Sequence, residues 1–394
     1  MKAPLTLLFL TSIMIAQPLT LEDILAQTKA QHPLFQAKEQ TRLSLEAQSK
    51  ADFASEPIGV SLGGGQASPD EGDDAFEYSL GISKTFAFGN TKALGLSAQR
   101  LQNEAKLLQK EKALILLSNR IQNLYHQSCL DKEKSAVIEA SLQTYRTLYK
   151  KKQKAYKYQE ISKKELLQLG MQMRSLKQKA QSSHASEKIS QEKLYDLSTL
   201  DKQQPLSCQD ITPIRAKISF DETPFLLSQS AFNKELLSLS KLEKRYNKSF
   251  DSIDIGASYD DEIDTKRVGV GFMIPLSFTS AKNEQNHISI MHKRELKILE
   301  QKNWMMEQTS HQKQLASELE SAYNAIIMIE ENHTLYQDTL MPLIEKSFRY
   351  GESSSLEYIL GRQKLLELSQ ELIQTKKTYY DTLFKLYSLI EMEK

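Results

Sequence analysis

Three features of this 394-residue chain predict a mixed, mainly α fold made of two internal repeats. Two stretches, Leu96 to Leu169 and Leu276 to Met341, contain neither glycine nor proline. Each follows a segment in which apolar residues alternate strictly with small or polar ones. The same landmarks then recur in both halves of the chain at a nearly constant offset.

The first element is a leader. Lys2 supplies a short positive region, Leu5 to Ile15 an apolar core and Ala16 a small residue before a cut, so residues 1–16 read as a secretory signal peptide. That apolar run is too short to span a bilayer as a helix, and no other segment approaches the roughly 20 apolar residues needed. Charge is balanced, 51 basic against 50 acidic residues, which gives no electrostatic reason for a nucleic-acid partner. With 14 glycines and 10 prolines among abundant Lys, Gln, Leu, Ser and Glu, the composition suits long solvated helices.

The alternating segments come next. Val60 and Leu62 alternate with Gly59, Ser61 and Gly63; after the turn Pro69–Asp74, Tyr78, Leu80, Ile82 and Phe86 alternate with Ser79, Gly81, Ser83 and Thr85. In the second half, Ile253, Ile255, Ala257 and Tyr259 lead through an acidic turn at Asp260-Asp261-Glu262 to Val268, Val270, Phe272, Ile274, Leu276 and Phe278. A strict period of two with one small or polar face is the pattern of transmembrane β-strands. Four strands cannot close a lipid-exposed barrel, because unpaired edges would face hydrocarbon. The chain must therefore pool strands with copies of itself, and a lumen wide enough to conduct argues for three copies.

The glycine- and proline-free stretches predict helical rods of roughly 90–100 Å at about 1.5 Å per residue. Leu107, Leu114 and Ile121 recur every seven residues, interleaved by Leu117 and Leu124. In the second rod Leu315, Ala322, Ile329, Tyr336 and Leu343 form one seam position, and Leu319, Ile326, His333 and Leu340 the other. Past Gly351 the pattern resumes at Leu365, Leu372, Tyr379 and Leu386.

Gly81 matches Gly271 at an offset of 190, and Tyr158-Gln159-Glu160 matches Tyr350-Gly351-Glu352 at 192. Gln159 and Gly351 therefore mark the turns of two helical hairpins. The expected organisation is a first repeat over 17–200 with its β-hairpin at about 57–88, a linker over 201–223, and a second repeat over 224–394 with its β-hairpin at about 252–278. The two cysteines, Cys129 and Cys208, are compatible with one bridge or with two unrelated buried thiols.

At this point the residues resemble the TolC-type outer-membrane efflux family. The resemblance is carried by Pro342, Phe348 and Gly351 with Leu356, Glu357, Ile359 and Leu360 after them, by Gly361-Arg362-Gln363, and by the opening Leu19-Thr20-Leu21-Glu22-Asp23 with His32-Pro33. It implies a homotrimer with a twelve-stranded barrel among outer-membrane lipids and a periplasmic tunnel of helices. The tunnel would dock on a periplasmic adaptor (membrane fusion) protein and a proton-driven inner-membrane pump. The short chain and Lys84-Thr85-Phe86-Ala87-Phe88-Gly89 resemble the heavy-metal (CzcC/CusC-like) branch, which implies heavy-metal cations as cargo.

Channels of this family close at the hairpin tips. The resemblance places Glu357 at an acidic tip position, Glu165 at its counterpart, and Phe348 at the aromatic of the closing network. Three copies of two glutamates around one axis would form a cation-selecting ring. Phe348 has no hydroxyl and Ser353 stands where the networking arginine would be, so the resemblance supplies no hydrogen-bonded latch from these two residues.

Other signals point elsewhere. The seven histidines show no metal-ligand spacing, though His126 and Cys129 stand one helical turn apart. The lysine run from Lys150 to Lys164 surrounds the first hairpin tip and fits either an acidic docking partner or a solvated end. No phosphate loop, catalytic triad or cofactor motif is present, which excludes the common enzyme classes. The rivals to a channel are an exported coiled-coil structural or adhesive protein without a pore, and the adaptor of the same pump, which would carry one helical hairpin rather than two.

Overall fold

The computed structural model describes residues 18–67, 75–87, 90–201, 204–208, 213, 225–247, 252–262, 265–276 and 281–392. The expected signal peptide, the expected turn at Asp70–Asp74, Phe88, Phe278 and most of the expected 201–223 linker lie outside the described residues. The chain divides into two compact units, one formed by 1–36, 114–224 and 310–394, the other by 37–113 and 225–309.

In the first unit, α1 (Leu21–Gln31) begins at a capping box in which Thr20 and Asp23 bond each other's backbone N–H. His32 is held extended by the following Pro33, and that ends the helix. Proline then opens α2 (Pro33–Asp52) at a position where its missing N–H costs nothing. The remaining long elements are α3 (Thr91–Lys157), α4 (Lys163–Ser198), α6 (Ala281–Leu335), a π turn (Tyr336–Leu340), α7 (Met341–Tyr350) and α8 (Ser355–Leu389), with α2, α3 and α6 contributing to both units.

A core of Ile24, Leu117, Ile121, Tyr125, Cys129 and Leu194 joins α1, α3 and α4. The linker is fastened to it. Ser207 N–H donates to the Leu19 carbonyl (2.9 Å), Leu19 N–H to that of Pro205 (2.9 Å), and Tyr195 Oη to that of Gln204 (2.6 Å). Cys129 and Cys208 form a disulfide with Cα atoms 5.5 Å apart. Cys129 therefore offers no thiol to share with His126, whose ring stacks on Tyr380 at 4.0 Å and Phe384 at 5.6 Å.

A polar row crosses from α3 to α8 and the C-terminus. Residues four apart lie one above another on a helix, and here Asn119 donates to the Met392 carbonyl (2.9 Å) and Asn123 to Asp381 (3.1 Å). Gln127 donates to the Lys377 carbonyl (2.8 Å), and Asp131 accepts from Lys377 Nζ (2.5 Å). Mismatched register would strand these groups without partners, so the row fixes the axial position of α8 on α3.

The π turn corrects the heptad reading. Pro342 has no N–H to return to the preceding turn, and Met341 N–H instead reaches back to Tyr336 O. The wider turn holds one extra residue, so the inward face moves on by one. Leu315, Leu319 and Ile326 are buried as the seam predicts, but Leu340 and Leu343 are 44% and 58% exposed while Met341 is 2% exposed.

In the second unit, α5 (Leu226–Tyr246) packs Phe232 against Trp304, with Phe225 on the same indole. Lys297 pairs with Glu235 (2.5 Å) and Arg294 with Glu243 (2.8 Å). The sheet contains β1 (Gly59–Ala67), β2 (Ala75–Ala87), β3 (Ser252–Glu262) and β4 (Thr265–Met273), all antiparallel in the order β1-β2-β3-β4. The expected alternation through Phe278 overruns: β4 stops two residues before Pro275, which cannot donate to a ladder. Asp260, Asp261 and Glu262 are likewise not a turn but the last residues of β3, with Lys266 3.5 Å from Asp261 and Arg267 3.2 Å from Glu262.

Register puts Val60, Leu62, Leu80, Ile82, Val268 and Val270 on one face and Gly/Ser rungs on the other. On the small face serines lie across the facing glycines: a Cβ at Gly63 would sit 2.6 Å from Ser79 Oγ, and one at Gly81 2.5 Å from Ser61 Oγ. The apolar face is bare, with Leu62 and Val268 each 80% exposed.

Candidate functional site

The two hairpin turns are built from the same backbone motif. In the first, Gln159 N–H donates to the Tyr156 carbonyl (3.0 Å) and Glu160 N–H to that of Ala155 (3.0 Å). In the second, Gly351 N–H donates to the Phe348 carbonyl (3.2 Å) and Glu352 N–H to that of Ser347 (2.9 Å). This paired capping needs a left-handed residue after the helix, and Gln159 (φ 62°) and Gly351 (φ 76°) take that conformation.

Each returning helix starts at a serine. Ser162 Oγ accepts from Glu165 N–H (3.1 Å) and Ser354 Oγ from Glu357 N–H (3.2 Å), which sets both glutamates at the third helical position. Glu357 completes a capping box by accepting from Ser354 N–H at 2.9 Å. Glu165 is engaged differently. Its carboxylate lies 3.2 Å from Lys152 Nζ on α3 and is hydrogen-bonded by Ser355 at the start of α8. Burial raises its pKa, but the bonds from Ser355 and Lys152 outweigh that, and the carboxyl is held below its ordinary value.

From Lys152 the contacts continue across the hairpins. Lys152 Nζ stands 5.5 Å from the Phe348 ring centroid, and Phe348 stacks on Tyr358 at 4.6 Å with planes 15° apart. Arg362 Nε donates to Tyr358 Oη (3.1 Å), and the same guanidinium pairs with Glu345. Thus Glu165 and Phe348 are joined in one network, while Glu357 is held in its own cap. Tyr358 thus brings a hydroxyl, and Arg362 a guanidinium, into the contacts around Phe348.

Sequence reading named Lys152 and Arg362 in other connections and did not join Lys152, Ser355, Tyr358 and Arg362 in one network. The available signal was the four-residue spacing of Tyr358 and Arg362 on one helix face. Beside Glu165 a groove of about 180 Å³ runs between α4 and α8, lined by Gln168, Met171, Leu356, Ile359 and Leu360. Among the described residues no group of three or more His, Cys, Asp or Glu side chains could hold a metal ion, and no helix is long and apolar enough to cross a membrane.

No family model and no curated protein matches the chain by sequence. Solved structures match over nearly its whole length. The CmeC outer membrane channel of Campylobacter jejuni superposes with a TM-score of 0.79 at 13% identity, over 94% of this chain and 85% of that one. The chain has the fold of the TolC-like outer-membrane channels. The TolC-like fold is matched also by CusC, with a TM-score of 0.76 at 13% identity over 94% of this chain and 91% of that one. The outer membrane protein VceC of Vibrio cholerae follows, at 0.75 and 11% identity over 94% and 96%. Among the described residues the terminal strands of the four-stranded sheet, β1 and β4, each pair on one side only.

Proposed function

We propose that the chain is the outer-membrane exit channel of a tripartite efflux system, a passive conduit that works as a homotrimer with most of its mass in the periplasm. One observation carries the reading. A sheet whose apolar face is bare and whose outer strands lack partners among the described residues is unstable alone in water or lipid. Pooling three copies gives twelve strands, pairs every edge and turns the apolar face to lipid. An exported coiled-coil protein without a pore would have no use for such a sheet.

The repeats over 17–200 and 224–394, joined by the 201–223 linker, each supply two strands and one helical hairpin. The hairpin tips form the constriction, with Glu165, Glu357 and Phe348 at its closing layer and Gln159 and Gly351 at the turns. A periplasmic adaptor docks there and a proton-driven inner-membrane pump supplies the energy. Heavy-metal cations are the specific cargo to test first, on the resemblance to the CusC-like branch.

The test is oligomeric state with conductance. Detergent-extracted protein should scatter light as a trimer and form discrete conducting units in planar bilayers. A monomer that keeps its strand signal in lipid would overturn the proposal.

A further inference from the structure

The two hairpin tips share a backbone and differ in surface. Over residues 150–165 the first tip carries seven lysines against two glutamates, a net of +5. The corresponding residues 342–357 carry two basic against three acidic groups, a net of −1. Lys150, Lys151, Lys152, Lys163 and Lys164 correspond to Pro342, Leu343, Ile344, Ser355 and Leu356. The whole chain is only +1, so the positive charge is concentrated at this one end.

Six of the seven lysines are not used inside the molecule among the described residues. Lys152 is committed to Glu165. Lys150, Lys151, Lys154, Lys157, Lys163 and Lys164 are all exposed and make no ion pair among the described residues. Between them Tyr158 stands 77% exposed at the turn, an aromatic of the kind that anchors interfaces. In the trimer, three copies would gather fifteen net positive charges around one axis, an arrangement that like-charge repulsion disfavours until an opposite surface meets it.

We infer that the first hairpin tip is a docking surface for an acidic protein partner, with Tyr158 as its anchor and the six free lysines as its charge complement. The inference rests on the channel reading and names the chemistry of the surface that meets it. A folded protein fits better than an anionic membrane surface, because the second tip presents exposed Leu343 and Leu356 where the first presents lysine. A plane of headgroups would set those leucines against charge, whereas a protein can offer carboxylates to one tip and apolar side chains to the other.

The experiment uses the full chain in its native cell, with a photoreactive phenylalanine analogue at position 158. Changing the six lysines to glutamate should lower the yield of protein adduct on the order of tenfold, and lysine to glutamine by less. The adduct should map to a protein surface bearing carboxylates, and converting those carboxylates to lysine should restore it with the glutamate variant. Both variants should remain trimers by light scattering with wild-type helix content, which separates lost docking from lost folding. Adduct yield unchanged by charge reversal would overturn the inference. So would binding of purified wild type to vesicles of equal parts phosphatidylcholine and phosphatidylglycerol that tracks the lysines while no protein adduct forms. Wild-type protein that conducts nothing would instead overturn the channel reading beneath it.

Discussion

Gln159 and Gly351, 192 residues apart, occupy the same position of the same capping motif with the same left-handed backbone. One is glycine, which takes that conformation freely; the other carries a Cβ and meets steric resistance there. Gln159→Gly should therefore stabilise the protein by up to about 1 kcal/mol, the steric relief being partly offset by a freer unfolded chain. Gly351→Gln should destabilise it by about 1 kcal/mol. Denaturant midpoints of the two variants should move in opposite directions, and movement in the same direction would refute the equivalence of the turns.

Glu165 ties α4 to Lys152 and Ser355, and its removal should loosen the proposed constriction at the tip. Glu165→Gln is expected to raise basal conductance severalfold in planar bilayers, on the scale of one lost charge-assisted hydrogen bond. The carboxyl is held below its ordinary 4.5, so the link is complete above that value and is lost only as pH falls through the lowered one. Wild-type conductance should stay flat from neutral pH to mild acid and rise in stronger acid. The glutamine variant should show no such rise; if it titrates like wild type, another group governs closure.

His126 is buried between aromatic rings, and burial takes its pKa from 6.5 to about 4. The folded state keeps it neutral while the unfolded chain protonates it, so the unfolded state binds more protons between those values. Stability is therefore full above pH 6.5 and declines as pH falls toward 4, by about 3 kcal/mol in total at roughly 1.4 kcal/mol per unit. His126→Phe should remove that slope from the unfolding free energy measured against pH.

Asp131 and Lys377 form the most enclosed ion pair of the polar row, with side chains 7% and 16% exposed. Asp131→Ala leaves an ammonium group buried without its partner and should cost about 3–5 kcal/mol. Asp131→Leu combined with Lys377→Met should recover most of that loss. A double variant no more stable than the single would assign the cost to packing rather than charge.

The strands and rods are legible in the sequence because their periods, two and seven, persist over many residues. Ends are less so: Pro275 was a visible stop that the continuing alternation to Phe278 masked. The face shift at Leu340 and Met341 is illegible to a strict seven-residue repeat, because one extra residue in a π turn leaves composition unchanged. At the tip, the turn residues can be read from the 192-residue offset, and the glutamates only from the family resemblance. The network around them cannot, since Lys152, Phe348, Tyr358 and Arg362 come from three helices and meet only when α7 and α8 pack against α3.

The disulfide between Cys129 and Cys208 closes 79 residues of sequence separation, a span that holds the whole first hairpin from the middle of α3 to the end of α4. That hairpin is therefore a covalent ring, whereas the second is an open strand of chain. A protease that nicks the exposed turn at Tyr158 would leave a single molecule of unchanged mass on a non-reducing gel, and two fragments only after reduction. A nick at Gly351 would separate the fragments at once, so damage at one tip is silent in an oxidising compartment and damage at the other is not.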